Sequence, residues 1–277
     1  MQEIAPNIFI ENNSLGLVTG IVRTENGSVL IDSPLRQDEQ KSWRSGTARL
    51  ITGDPRFLIS LDTNYDRLLS AKGTDCVVIA HSNSVSTTKG RQGAGKVQED
   101  QPGYTESHEL VNGGTRWFPP EITFQENLGL HIGGTEFQMA HHFGSNNAGI
   151  WVNIPKLKVV FVGDSVLVDQ PPFLAYCNLN EWLEDLKLLG SKAFRTYQIV
   201  SARSGVVGQE QVKGMTHLIT SIKHLLDPLM EEKASLDSVL GIIPKIMKRF
   251  EVTSSTSELF YNRLRWGLAT YYEQSIP

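Results

Sequence analysis

The segment that decides the fold is ISLDTNYDRLL, residues 59–69. It continues an apolar run, Phe57–Ser60, of the kind that forms a strand buried on both faces in a layered sheet. Polar side chains then stand at alternate positions, Asp62, Asn64 and Asp66, and a permanent cation, Arg67, follows them. The segment therefore predicts a buried strand that leads into a group of polar and charged side chains.

The remainder of the chain is organised as two blocks of strands followed by a block of helices. β-Branched runs separated by Asn and Gly turns are typical of strands, and Glu25-Asn26-Gly27 has the composition of a hairpin turn. From Asn180 onward the apolar residues recur with a helical period. The predicted strands are 7–10, 16–22, 28–32, 57–60, 76–80, 122–124, 128–132, 135–139, 148–152 and 158–162, and the predicted helices lie within 36–52, 182–189, 212–226, 242–247 and 259–268. This order predicts an α/β fold, an αββα four-layer sandwich with two facing sheets and helices outside.

We expect one domain over residues 1–277, with a long polar loop at 82–118 and C-terminal helices at about 209–274. A loop of that length is unusual inside a compact domain, so its Ser, Thr, Gly and Gln content predicts a mobile flap beside the site. Gly90–Lys96 has the Gly-x₄-Gly-Lys spacing of a phosphate-binding loop. However, Val97 stands where Ser or Thr is required, and no strand directly precedes the segment. We interpret it as a flexible basic loop.

Net charge, cysteine content and hydrophobic pattern indicate which partners and which cell compartment to expect. The formal net charge of −4 gives no electrostatic reason to expect nucleic acid or an anionic membrane as a partner. Cys76 and Cys177 form neither a zinc-type pair nor a disulfide framework, which indicates free thiols in a reducing compartment. The start of the chain, Met1–Pro6, lacks the features of a signal peptide, and no apolar run reaches membrane-spanning length. The sequence predicts a cytoplasmic protein whose partner is a small molecule or a protein, and a homo-oligomer is compatible with it.

Several segments resemble the metallo-β-lactamase superfamily in both order and spacing, from about Ile8 to the C-terminus. The segments that carry the resemblance are residues 59–69, Gly27–Pro34, Phe118–Phe124, Met139–Ser145 and Ile154–Asp164. The resemblance implies the four-layer sandwich already predicted from the order of the elements. It also implies a hydrolase with a dinuclear zinc site, for which the positions of the ligands can be located in this sequence.

The resemblance places five of the family's seven metal ligands on residues of other types and keeps only the two aspartates, Asp66 and Asp164. The family motif His-x-His-x-Asp-His falls on residues 62–67, its Gly-His ligand falls near residue 145, its bridging aspartate near residue 164 and its last histidine near residue 203. In chain order, the seven former ligand positions are Asp62, Asn64, Asp66, Arg67, Ser145, Asp164 and Arg203. His142 stands close to the fifth position and is a candidate acid or base at the rim of the site. Every histidine ligand of the family is replaced.

These replacements predict a site that does not hold zinc and a protein without a cofactor. Asn and Ser are weak zinc ligands at such positions, and an arginine cannot deprotonate to bind a metal. We predict that Arg67 and Arg203 supply the positive charge instead. They would pair with Asp62, Asp66 and Asp164 by charge-assisted hydrogen bonds. The function predicted from this is a non-zinc pseudoenzyme that binds a small ligand or partner in the old cleft.

The alternative function is a hydrolase with a rearranged, carboxylate-based metal site. Hard oxygen ligands suitable for Mg²⁺ or Ca²⁺ are offered by Asp62, Asn64, Asp66 and Asp164. The same spacing also resembles the start of an EF-hand loop, although the Gly and the closing Glu of that loop are missing. Arginines inside the cleft would oppose a metal, whereas arginines outside it would permit one, so their position distinguishes the two functions.

Overall fold

The computed structural model describes residues 1–13, 16–34, 37–48, 55–68, 74–90 and 119–275. Within these residues thirteen strands form two sheets, one of seven strands and one of six. The sheets face each other, and helices pack against both outer faces. The predicted αββα sandwich is confirmed.

The first sheet contains its seven strands in chain order. They are β1 (Gln2–Ala5), β2 (Ile8–Asn12), β3 (Val18–Thr24), β4 (Gly27–Ile31), β5 (Pro55–Ile59), β6 (Val77–His81) and β7 (Ile122–Phe124). Strands β1 to β4 are antiparallel, and the pairing of Thr24 with Gly27 confirms the predicted hairpin turn. Strands β4 to β7 are parallel, so their carboxyl ends lie at the same edge of the sheet.

The second sheet has the strand order β13-β12-β11-β10-β9-β8. Its strands are β8 (Asn127–Ile132), β9 (Thr135–His141), β10 (Ile150–Ile154), β11 (Val159–Phe161), β12 (Gln198–Ser201) and β13 (Gly205–Val207). All neighbours are antiparallel except β11 and β12, which are parallel. Three short strands, β1, β12 and β13, were not predicted.

Eight α-helices occur in the described part of the chain, together with two short 3-10 helices at Pro155–Leu157 and Gly163–Ser165. The α-helices are α1 (Gln37–Ala48), α2 (Tyr65–Leu68), α3 (Asn83–Gly90), α4 (Leu179–Leu189), α5 (Gln209–Glu231), α6 (Leu236–Leu240), α7 (Ile243–Met247) and α8 (Ser254–Ser275). Trp43 of α1 packs on the outer face of the first sheet, and α4, α5, α7 and α8 cover the second. Helices α5 to α8 lie between Gln209 and Ser275, in the region where the C-terminal helices were predicted. None of the described helices combines the length and apolar content that a membrane crossing requires.

Side chains alternate between the two faces of each sheet and so form three apolar layers: one between the sheets and one beneath the helices on each outer face. Along β11, Val159 and Phe161 point into the layer between the sheets, while Val160 packs beneath the helices. The sheets approach closely at Gly20 on β3, where an added Cβ would lie 2.6 Å from Cε1 of Phe161. The contact therefore favours glycine at position 20. Strands β4, β5, β11 and β12 each place apolar side chains in this layer between the sheets.

The predicted loop at 82–118 is wrong for its first part, since Asn83–Gly90 forms α3. Residues 91–118 lie outside the described residues. The same is true of the phosphate-loop-like segment apart from Gly90. The predicted flap therefore stays a prediction.

Candidate functional site

Charged side chains from both sheets meet at one end of the sandwich. In the first sheet, Asp32 follows β4 and Asp62 lies just after β5. These strands are parallel neighbours, so their carboxyl ends lie side by side. In the second sheet, Asp164 follows β11 and Arg203 follows β12, which are also parallel neighbours. The topology thus brings together residues that are far apart in the sequence.

Arg67 occupies the centre of this group. It lies on α2, and only 1% of its surface is exposed. Its Nε donates to Oδ2 of Asp32 at 2.9 Å. Its Nη1 donates to Oδ1 of Asp62 at 2.9 Å, and its Nη2 donates to Oδ1 of Asp164 at 2.8 Å. One guanidinium therefore binds three carboxylates from three separate segments, which its planar set of donors permits.

Arg203 is the second cation of the group. Its Nη1 forms an ion pair with Oδ2 of Asp66 at 2.7 Å, and its Nε lies 3.4 Å from Oδ1 of Asp164. Its guanidinium also lies over the ring of Phe173, with Cζ 5.0 Å from the ring centroid. Arg263 of α8 stacks on the same ring at 4.1 Å. Charge and cation–π contacts together hold Arg203 in place.

Two asparagines complete the hydrogen bonds. Asn64 donates from Nδ2 to Oδ2 of Asp164 at 2.8 Å, and its backbone N–H donates to Oδ1 of Asp62 at 2.7 Å. Asn146, in the loop between β9 and β10, donates to Oδ1 of Asn64 at 3.2 Å. It also accepts a hydrogen bond from Thr63 at 3.0 Å. This chain of bonds ties the loop of the second sheet to the end of β5.

Burial and charge act in opposite directions on the carboxyl groups. Desolvation raises the pKa of Asp62 to about 7 and also raises the pKa of Asp32, although Arg67 opposes both shifts. Desolvation acts on Asp164 too, but the positive charges of Arg67 and Arg203 outweigh it and lower the pKa of Asp164 to about 2. Desolvation would lower the pKa of Arg67, but the surrounding carboxylates outweigh it and raise that pKa well above its usual range. The positive charges thus favour the ionised form of Asp164, whereas burial makes Asp62 harder to ionise.

The structure brings six of the seven predicted positions together. The prediction that Arg67 or Arg203 contacts Asp66 or Asp164 is confirmed for both arginines. We call this group the buried ion cluster. Its members are Asp32, Asp62, Asn64, Asp66, Arg67, Asp164 and Arg203.

The sequence predictions missed two contributors and misplaced one. Ser145 was predicted as a former ligand position, but the hydrogen bond from this loop to the buried ion cluster comes from Asn146. Asp32 was not predicted, although it is bound by Arg67 and accepts a hydrogen bond from the backbone N–H of Leu61 at 3.0 Å. Its position directly after β4 is the signal that could have identified it.

His142 does not join the buried ion cluster. Its Nδ1 lies 2.7 Å from Oδ1 of Asp185 on α4, and its ring stacks on Trp151 at 3.6 Å. The predicted role of His142 as an acid or base at the cluster is therefore not supported by its contacts.

The side chains of the buried ion cluster do not fit the dinuclear zinc site that the fold implies. The guanidinium of Arg67 fills the space between Asp62 and Asp164, where ions would have to bind both carboxylates. It also repels a cation. Asn64 donates its amide hydrogens to these carboxylates rather than offering a lone pair to a metal. Among the described residues, no group of three or more His, Cys, Asp or Glu side chains is arranged to hold a metal ion.

Solved structures of similar fold support the architecture. The chain is similar to the metallo-β-lactamase from Pontibacter korlensis, with a TM-score of 0.59 and 15% identity over 79% of this chain and 97% of that one. It is similar to the sec-alkylsulfatase Pisa1 from Pseudomonas sp., with a TM-score of 0.71 and 13% identity over 98% of this chain and 49% of that one. This chain therefore spans about half of the sulfatase. A metallo-β-lactamase family protein from Thermus thermophilus gives a TM-score of 0.64 and 11% identity over 98% of this chain and 93% of that one.

No protein-family model matches the sequence, and no curated protein matches it. At identities this low, structural likeness establishes the fold and carries no activity with it. The chain has the metallo-β-lactamase fold, and its chemistry must be argued from its own residues.

Proposed function

We propose that this chain is a pseudoenzyme on the metallo-β-lactamase fold, which binds a small ligand or a partner at the old cleft and does not hydrolyse substrates with zinc. The observation that carries the proposal is the position of Arg67. Its guanidinium donates to Asp32, Asp62 and Asp164 at 2.8–2.9 Å in the interior of the site. A fixed organic cation thus lies between carboxylates at which the family resemblance leads us to expect metal ions.

Zinc hydrolases depend on a metal that lowers the pKa of a bound water and polarises the scissile bond. A guanidinium does supply positive charge, but it has no open coordination position at which a water could become a hydroxide. The carboxylates that could serve as bases are engaged by arginine and asparagine donors. The cluster is therefore suited to hold the ends of the two sheets together rather than to activate water.

The alternative, a hydrolase with a carboxylate-based metal site, has less support. All of its candidate ligands lie in the buried ion cluster. Asp62 and Asp164 contact Arg67, and Asp66 contacts Arg203. A divalent ion at these carboxylates would have to displace both guanidinium groups. The position of the arginines thus favours the pseudoenzyme.

Metal analysis tests the proposal. The purified chain is incubated with zinc, unbound metal is removed, and zinc, iron, manganese and magnesium are measured per chain by plasma emission spectrometry. We expect far less than one zinc ion per chain. A triple variant, Asp62→His, Asn64→His and Arg67→His, provides the matched control, because it restores imidazole ligands and should retain zinc. Stoichiometric zinc in the parent chain, together with a hydrolysis that a chelator abolishes, would refute the proposal.

A further inference from the structure

A cavity of about 320 Å³ lies on the outer face of the second sheet, and none of its lining residues belongs to the buried ion cluster. Strands β8, β9 and β10 form its floor, and Phe194, in the turn after α4, lies at its edge. Its volume is at the lower end of the range for small-molecule sites. The cavity therefore has room for one small molecule and is independent of the former metal site.

His142 lines this cavity, and behind it the imidazole is paired with a carboxylate, Asp185. Nδ1 of His142 lies 2.7 Å from Oδ1 of Asp185, and the side chains of these residues are 15% and 12% exposed. An ionised carboxylate can only accept, so Nδ1 carries a hydrogen, and in the neutral imidazole Nε2 then has the lone pair. Nε2 is not buried, and it has no hydrogen-bond partner among the described residues. The pair thus presents a hydrogen-bond acceptor to whatever occupies the cavity.

The loop after β9 is built to hold the pair in place. The second oxygen of Asp185 accepts a hydrogen bond from the backbone N–H of Gly144 at 3.1 Å. The carbonyl of Gly144 accepts from the backbone N–H of Asn178, which caps the start of α4. A Cβ on Gly144 would lie 2.6 Å from both Asp185 and Trp182. This close approach of the loop to α4 depends on glycine, and it fixes Asp185 opposite the imidazole.

The imidazole of His142 is also fixed by an aromatic contact. It stacks on the indole of Trp151 at 3.6 Å with an interplanar angle of 14°. Trp151 is fixed in turn, because its Nε1 donates to Ser165 at 3.0 Å. Phe194 packs edge-on against the same indole at 6.1 Å. The acceptor is therefore presented from a rigid aromatic wall.

The character of the walls defines the chemistry of the ligand. No lysine, arginine, aspartate or glutamate is among the described residues that line the cavity, so they offer no counter-charge for an ionic ligand. Trp151 and Phe194 line the cavity with aromatic rings, and the strands of the second sheet form its floor. A planar uncharged ring would cover these surfaces, and a donor on its edge would satisfy Nε2 of His142.

We propose that this cavity is a binding site for a small, uncharged, planar molecule with an N–H or O–H group, which donates a hydrogen bond to Nε2 of His142. Asp185 acts as a positioning residue, because it sets the tautomer of the imidazole. This site does not use the buried ion cluster, so its test does not depend on whether the chain binds zinc.

Indole and N-methylindole are the matched probes. They share shape and apolar surface, but only indole carries a donor. Binding is measured by saturation-transfer NMR and by titration of the imidazole nitrogen signals of the protein. We expect indole to bind about tenfold more tightly than N-methylindole, as one hydrogen bond would provide. His142→Ala should remove that preference, whereas His217→Ala on the exposed surface of α5 should retain it.

Asp185→Asn tests the positioning role with a readout that a merely structural residue would not change. Its amide oxygen is required by the N–H of Gly144, so its NH₂ group faces Nδ1 of His142. This arrangement moves the imidazole hydrogen to Nε2 and converts the acceptor into a donor. We expect the imidazole nitrogen signals to report the exchanged tautomer, and indole to lose about tenfold in affinity while N-methylindole is unchanged.

Three results would overturn the proposal: equal affinity of the parent chain for the two probes, absence of indole binding, or unchanged indole preference in His142→Ala. Retention of both the original tautomer and the indole preference in Asp185→Asn would overturn the role of Asp185.

Discussion

The buried ion cluster and the apolar layer between the sheets are equally inaccessible to water, but they are held together in different ways. Arg67 is 1% exposed and Phe161 is 2% exposed. Phe161 contacts apolar neighbours from both sheets, and any of them could be replaced by another side chain of similar volume. Arg67 must contact three particular carboxylates. In the buried ion cluster, charge balance determines how much stability a substitution removes. In the apolar layer, the shape and volume of the side chain determine it.

Under the proposed function, the difference explains how this fold could be stable without the metal ions that the family resemblance implies. Carboxylates converge at the ends of the parallel strands, and positive charge, from a metal ion or from a side chain, has to offset their mutual repulsion. Two buried arginines perform this role here. The apolar layer has no charge to balance, so its packing needs only apolar side chains of suitable volume.

Removing the central cation should destabilise the chain most. Arg67→Met keeps much of the volume but leaves Asp32, Asp62 and Asp164 without their shared partner. We expect a loss of roughly 3–5 kcal/mol in the free energy of unfolding, measured by chemical denaturation. Arg67→Lys is the matched control. It keeps the charge but loses the planar set of donors, so it should recover only part of the loss. An Arg67→Met variant as stable as the parent would show that the cluster does not hold the site together.

The stability of the cluster should depend on pH through Asp62. The pKa of Asp62 is raised to about 7 in the folded chain, so the native state binds a proton that the unfolded state releases at lower pH. This contribution is fully present below the usual aspartate pKa and is lost as the pH rises through about 7. We expect unfolding free energy to fall over that interval by at most about 1.4 kcal/mol per pH unit. Denaturation at a series of pH values measures it.

The matched variant for the pH effect is Asp62→Asn, which cannot titrate. Its stability should be flatter between about pH 4 and pH 7. Asp164 acts in the opposite sense, because its pKa is lowered to about 2 and its contribution is lost only as the pH falls towards that value. A parent stability that rises steadily from pH 4 to pH 7 would contradict the protonation of Asp62.

The apolar layer should respond to volume rather than charge. Gly20→Ala places a Cβ 2.6 Å from the ring of Phe161, so we expect a loss of about 1–3 kcal/mol from overpacking. Adding Phe161→Leu makes room for the methyl group, and the double variant should lose less than the sum of the two single changes. Thermal unfolding of the four proteins measures this. Strict additivity would mean that the two residues do not meet.

An ion pair on the surface should contribute little, in contrast to the buried pairs. Lys187 and Glu184 on α4 lie 3.1 Å apart, but their side chains are 76% and 68% exposed. We expect Glu184→Gln to change the unfolding free energy by less than about 1 kcal/mol, and the change should shrink in high salt. A loss as large as that of Arg67→Met would remove the distinction between buried and exposed pairs.

The architecture could be predicted from the sequence because the apolar patterns of most strands and helices are local. The strands that were missed are short: β13 has three residues, and β12 is formed by pairing with β11, far away in the chain. Helix α3 was missed because its Ser- and Thr-rich composition is typical of loops. Local pattern carries no information about such long-range pairing.

The chemistry of the site was predicted in part. The alternating Asp62, Asn64 and Asp66 with adjacent Arg67 indicated a charged group after β5, and the structure places all four in the cluster. Asp32 reaches Arg67 only because β4 pairs in parallel with β5, and the spacing of residues in the sequence does not reveal that pairing. The separation of His142 from the cluster depends on the direction of one side chain in a loop. It was therefore beyond what the sequence could indicate.

The most direct test of the account is the dependence of stability on metal. Unfolding of the parent chain is measured by chemical denaturation with excess zinc, with a chelator and with neither. A ligand that binds only the folded state raises the unfolding free energy. Because Arg67 and Arg203 provide the positive charge of the cluster, we predict the same unfolding midpoint in all three conditions. A midpoint that rises with zinc and falls with the chelator would show that the site still depends on a metal ion, and it would contradict the central claim.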